Sequence, residues 1–171
     1  MLIPYTIVLL VLYLVASLCQ LVIWIPVLTT GAYPAWAFRL NSGLIRYVKR
    51  SSSFLYGLTD RYPSFSLDDH PGDGDAMVVF EPQQEYSRFW AIPILGIGVK
   101  YFALIPHIII LNTLWLVVGL MQLASWIPVL FGGKYPLWGY QLVGGTIRWS
   151  ARVMAYGLGL SDQYPPFSLT E

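Results

Sequence analysis

The chain has 171 residues, 56% of them hydrophobic, 16% aromatic and only 11% charged, with a formal net charge of +1 and a mean hydropathy of +0.59. Soluble domains carry about a quarter of their residues as charges, so a water-soluble fold of this size cannot enclose so much apolar side chain, and the near-zero net charge gives no basis for a nucleic-acid partner. A single cysteine, Cys19, excludes an internal disulfide.

The first element is an uncharged run over residues 3–28. About 20 apolar helical residues cross a hydrocarbon core of about 30 Å, so this run is long enough to span. It lacks the basic stretch and small-residue cleavage site of a secretory signal, and Leu18 before Cys19 disfavours a lipoprotein site, so the run is expected to be permanent. Pro4 falls in the first helical turn, where a missing amide donor costs little, and Pro26 is expected to kink or end the helix. Trp24 sits where an aromatic belt belongs.

Gly31, Tyr33 and Pro34 form a turn cluster whose proline starts a second helix, predicted over residues 35–58. At 100° per residue, Arg39, Arg46 and Arg50 lie within about 40° of one another on one face. Charges cost about 2.5–3.5 kcal/mol each at a bilayer centre, so this helix is not expected to span alone. Two placements compete: an interfacial helix with its basic face toward lipid phosphate, or a helix enclosed in a bundle with its arginines on polar partners.

An acidic linker follows over residues 68–85, with Asp68, Asp69, Asp73, Asp75, Glu81 and Glu85. Within it residues 76–80 read as a short strand and residues 70–75 as loop. Residues 86–104, with Arg88 and Lys100 in an otherwise apolar stretch, read as an interfacial lead-in helix.

From there the pattern starts again. A shift of 102 residues aligns residues 3–67 with residues 105–169 without a gap, with 32 identities in 65 positions. That is an internal duplication: repeats over residues 1–67 and 105–171. The second repeat keeps Pro106, Trp126, Pro128, Gly133, Tyr135 and Pro136, then a helix over residues 137–160 with Arg148, Arg152 and, in place of Arg39, Gln141. Because basic residues follow the first helix in both repeats and cytoplasmic flanks are rich in Lys and Arg, the two first helices are expected to run the same way, which requires four crossings. Surface-lying second helices would instead invert the repeats, and re-entrant first helices would make fewer crossings.

The run Ile147, Arg148, Trp149, Ser150, Ala151, Arg152, Val153, with Asp162, Gln163, Tyr164, Pro165, Pro166, Phe167, Ser168 and Leu169 after it, resembles an uncharacterised bacterial membrane family, domain of unknown function number 4389. The stretch from Ala103 to His107 and the turn Gly133, Lys134, Tyr135, Pro136 are similar too, and the first repeat matches more loosely. The resemblance implies polytopic bacterial membrane proteins with no established activity.

Five arginines, Arg39, Arg46, Arg50, Arg148 and Arg152, are the candidate lipid- or anion-binding residues, since a guanidinium fork matches phosphate; a merely interfacial basic face is the blander reading and the favoured one. Gln20 and Gln122, at equivalent positions in apolar runs, are candidates for hydrogen bonds across the repeat interface. Asp60 and Asp162 read as turn residues or helix-end counter-ions. His107 and His70 lack companion ligands, so no metal or other cofactor is expected. No phosphate loop, nucleophile elbow or metal-binding helix pair is present, which argues against an enzyme.

The expectation is therefore an all-α integral membrane protein of two tandem helix-turn-helix repeats with pseudo-two-fold symmetry, multi-pass in a bacterial inner membrane. Its expected function is that of a non-catalytic accessory or scaffold subunit whose partners are membrane lipids and other membrane subunits. The alternative is a small transporter or channel for an anionic solute, with membrane shaping a third possibility.

Overall fold

A computed structural model describes residues 3–68, 82–133 and 135–170. The strand expected over residues 76–80, the loop over residues 70–75, the acidic residues Asp69, Asp73, Asp75 and Glu81, and Lys134 of the second turn lie outside the described residues. Within them the protein is all-helical: α1 (Ile3–Thr30), α2 (Ala35–Leu55), a 3₁₀ turn (Arg88–Ala91), α3 (Leu95–Gly132) and α4 (Leu137–Gly157).

Helices α1 and α3 are long and apolar enough to cross a membrane. At about 1.5 Å per residue they measure roughly 42 and 57 Å, against a hydrocarbon core of about 30 Å. Leu10, Leu14, Leu18 and Leu21 of α1, with Leu116, Leu120 and Leu123 of α3, are exposed. What is buried in α1 is a narrow stripe through Tyr5, Ala16, Ile23 and Val27.

Helix α1 packs on α2, α2 on α4, and α4 on α3. The two charged helices therefore sit in the middle, enclosed by the two apolar ones, and α2 buries Asn41, Lys49 and Arg50 along with its apolar residues. Helix α2 is thus packed within the bundle, between α1 and α4. The α2·α4 contact is made of Phe38 and Ile45 against Ala151 and Ala155.

Both inner helices stop earlier than predicted, at Leu55 and Gly157. Gly57 and Gly159 adopt left-handed φ values of 70° and 76°. Beside them Leu58 N–H bonds Ser53 O (2.8 Å) and Leu160 N–H bonds Ala155 O (2.9 Å), the paired Schellman closure that satisfies the last carbonyls of a helix.

Two further expectations are corrected. The segment over residues 86–104 is not a separate helix: only Arg88–Ala91 forms a 3₁₀ turn, and α3 begins at Leu95 and runs unbroken through Pro106. Pro106 is thus interior to α3 and not in a first turn, and Pro26 and Pro128 also leave their helices continuing, to Thr30 and Gly132. The apolar surroundings reward an extended span more than one lost amide bond costs.

Chain direction differs from the charge-based expectation as well. Tyr13 and Gln20 of α1 meet Met154 and Leu158 of α4 in ascending order, so α1 and α4 run alike, while each forms an antiparallel hairpin with its neighbour in sequence. Helices α1 and α3 consequently run in opposite directions. Opposed first helices are the inverted arrangement that accompanied surface-lying second helices, and not the parallel one that the charge distribution favoured.

Candidate functional site

After each Schellman closure the chain turns back along its own inner helix as an extended strap, residues 59–68 and 161–170. The straps press against glycine: a Cβ added at Gly43 would lie 2.7 Å from Leu67 Cβ, and one at Gly145 would lie 2.8 Å from both Leu169 Cβ and its carbonyl oxygen. Only a bare backbone admits this approach. An extended strap leaves peptide carbonyls without helical partners, which is costly where water is scarce, and here the predicted arginines enter.

Arg50 Nη1 donates to Ser64 Oγ (2.5 Å), and its Nη2 donates to the carbonyls of Ser66 (2.7 Å) and Asp68 (3.1 Å). Arg152 Nη2 donates to Ser168 O, the equivalent atom of the second repeat. Arg148 Nη2 donates to Leu169 O at 3.2 Å, and Arg46 Nη1 donates to Ser42 Oγ at 3.4 Å. Arg39 alone of the five is exposed. Four of the five candidate anion-binding side chains therefore bond to their own chain.

The far faces of the straps carry rings. Tyr5 stacks on Tyr47 at 4.0 Å, and Phe65 of the first strap stands 5.7 Å from Tyr5. In the second repeat His107 takes the place of Tyr5: it stacks on Phe167 at 3.8 Å and its Nδ1 accepts a hydrogen bond from Trp149 Nε1 at 3.0 Å. The strap motif of Tyr, Pro, Phe, Ser and Leu is thus a packing device, and His107 is one of its rings.

The two hairpins meet through exchanged contacts. Gln20 Nε2 and Tyr33 OH both donate to Leu158 O, each at 2.9 Å, and Tyr33 lies against Gly159. In return Tyr135 and Gln122 of the second repeat lie against Gly57 of the first. Gln20 thus bonds across the repeats, whereas Gln122 Oε1 accepts from Tyr135 OH, within its own repeat, at 3.1 Å. Burial pushes the Tyr33 phenol up to about 12, so at ordinary pH it keeps the proton it donates; Asn41 Nδ2 donates to the same oxygen at 2.7 Å.

Beside this contact lies a cavity of about 80 Å³ between α1, the 3₁₀ turn, the start of α3 and the end of α4. Five rings line it, from Trp24, Tyr33, Tyr86, Trp90 and Tyr101, together with Lys100 and Asp162. Lys100, only 5% exposed, stands 3.6 Å from Asp162 Oδ1 and 4.6 Å from the centre of the Tyr156 ring, while Asp162 Oδ2 accepts the Ser87 amide at 2.7 Å. Asp162 is therefore a counter-ion, for a lysine on the other side of the sequence and not for the helix it follows. Sequence reasoning did not single out Lys100; its one signal was a lone cation in an apolar run.

Among the described residues no group of three or more His, Cys, Asp or Glu side chains could hold a metal ion. No curated protein and no solved structure matches the chain. Residues 1–66 and 95–168 each match the family described as Domain of unknown function (DUF4389). The chain belongs to that family and carries two copies of its domain in tandem.

Proposed function

We propose that this chain is a non-catalytic integral membrane protein of the bacterial inner membrane, an accessory or scaffold subunit that packs against partner subunits of a larger assembly. The carrying observation is the outer surface of α1 and α3, where large apolar side chains such as Leu14 (61% exposed) and Leu120 (60% exposed) face away from the protein. The interior argues in the same direction. Arg50, Arg148 and Arg152 bond to carbonyls of their own chain, which favours a structural role over passage of an anionic solute. Contact with anionic headgroups falls to Arg39, exposed near the start of α2. The exchanged contacts of Tyr33 with Gly159 and of Tyr135 with Gly57 support a pseudo-two-fold axis lying in the membrane plane, as in inverted repeats.

Site-directed photo-crosslinking in native membranes tests the subunit role. A photoreactive residue at Leu14 or Leu120 is expected to capture one and the same membrane protein reproducibly, while one at the buried Ala16 captures none. Capture of lipid alone from every outward position would refute the reading.

A further inference from the structure

The cavity between the hairpins is not accounted for by packing. Its one buried cation, Lys100, has three N–H donors, and its ionic partner Asp162 stands at 3.6 Å, longer than a charge-assisted hydrogen bond of about 2.7–2.9 Å. Asp162 is still its side-chain hydrogen-bond partner and the Tyr156 ring lies 4.6 Å from Nζ, so two donors are engaged and the third is left for the cavity that Lys100 lines. Among the described residues, Lys100 (+1) and Asp162 (−1) are the charged side chains of the lining and sum to zero, so the complement they select is a neutral acceptor and not a phosphate or carboxylate.

Size and depth narrow the class. About 80 Å³ is roughly half of a cavity of about 150 Å³ that binds benzene, room for a carbonyl and the atoms next to it. Lys100 is five residues inside the start of α3 and Trp24 six residues before the end of α1. At about 1.5 Å per residue both lie roughly 8–9 Å from their helix ends, the boundary level where aromatic belts sit and headgroups give way to acyl chains. Tyr101, on the lining, is half exposed, so the cavity opens at that level onto surroundings that can supply an acyl chain.

We propose that this cavity is a glycerolipid ester site, in which an acyl-ester carbonyl accepts a hydrogen bond from Lys100 Nζ and the first methylenes lie over the Trp24 and Tyr101 rings. The site rests on the membrane placement proposed above. Full-length protein in an alkyl maltoside, a detergent without esters, is titrated with dioctanoylglycerol and with its diether analogue, which lacks only the carbonyls; titration calorimetry reports binding. The diester is expected to bind saturably and the diether at least tenfold more weakly, with Lys100→Met reducing the diester to the level of the diether. Equal binding of diester and diether by the unmodified protein overturns the site, and that comparison stands even if Lys100→Met fails to fold. Unchanged diester binding by a folded Lys100→Met protein, or tighter binding of octanoate than of the diester, overturns it as well. A chain that stays monodisperse without detergent would instead sink the membrane reading, so the two failures are distinguishable.

Discussion

Arginine 50 shows how far residue type and spacing can lead and where they stop. A basic stripe through Arg46, Arg50, Arg148 and Arg152 is legible from helical periodicity, but Arg50, Arg148 and Arg152 bind peptide carbonyls, and a carbonyl has no sequence signature. Hydrogen bonds to charged groups contribute about 1.5–3 kcal/mol each, and Arg50 makes three to residues 64–68. Arg50→Lys keeps the charge but loses the fork. It is expected to lower stability in detergent by about 2 kcal/mol or more and to speed amide hydrogen exchange in residues 62–68, as mass spectrometry would show. The strap glycines give a second residue-scale contrast. Gly43→Ala and Gly145→Ala would drive a Cβ into Leu67 and Leu169 and should each destabilise by about 1–3 kcal/mol. Gly119→Ala meets nothing within 4 Å and should be neutral or stabilise by up to about 1 kcal/mol; chemical denaturation of the three variants decides.

Among the elements, the duplication predicted the most and also misled. It located both apolar helices, both turns and both inner helices, because hydrophobic period and proline and glycine positions are local properties. It could not reveal that equivalent residues would acquire different neighbours. Asp60 and Asp162 occupy the same position in their repeats, yet Asp162 holds Lys100 and the Ser87 amide, whereas Asp60 is exposed. Asp162→Ala should therefore cost about 1–3 kcal/mol, as expected when a buried charge loses its partner, and Asp60→Ala should stay within about 0.5 kcal/mol. Equal effects in thermal melts would show that the clip between α3 and the second strap contributes nothing. The start of α3 was misread for a related reason: Lys100 in an apolar stretch suggested an interfacial segment, and only the tertiary placement of Asp162, Trp90 and Tyr156 lets that lysine sit inside a long helix.

For the whole molecule, the decisive quantity is the solvent its outer surface prefers. Four basic residues on α2, Arg39, Arg46, Lys49 and Arg50, would cost an isolated spanning helix about 10–14 kcal/mol at roughly 2.5–3.5 kcal/mol each; packing between α1 and α4 buries Lys49 and Arg50 and leaves Arg39 exposed. Each leucine or isoleucine turned to hydrocarbon returns only about 0.3–0.6 kcal/mol, but α1 has no charge to oppose it. Spin labels placed singly at Leu14, Leu18, Leu116 and Leu120, with Cys19 replaced by serine and the protein in liposomes, test the central claim most directly. The account predicts that dissolved oxygen relaxes these labels strongly while an aqueous nickel chelate hardly reaches them, and that a label at Ala16 is screened from both. Ready access of the chelate to all four outward positions would contradict it.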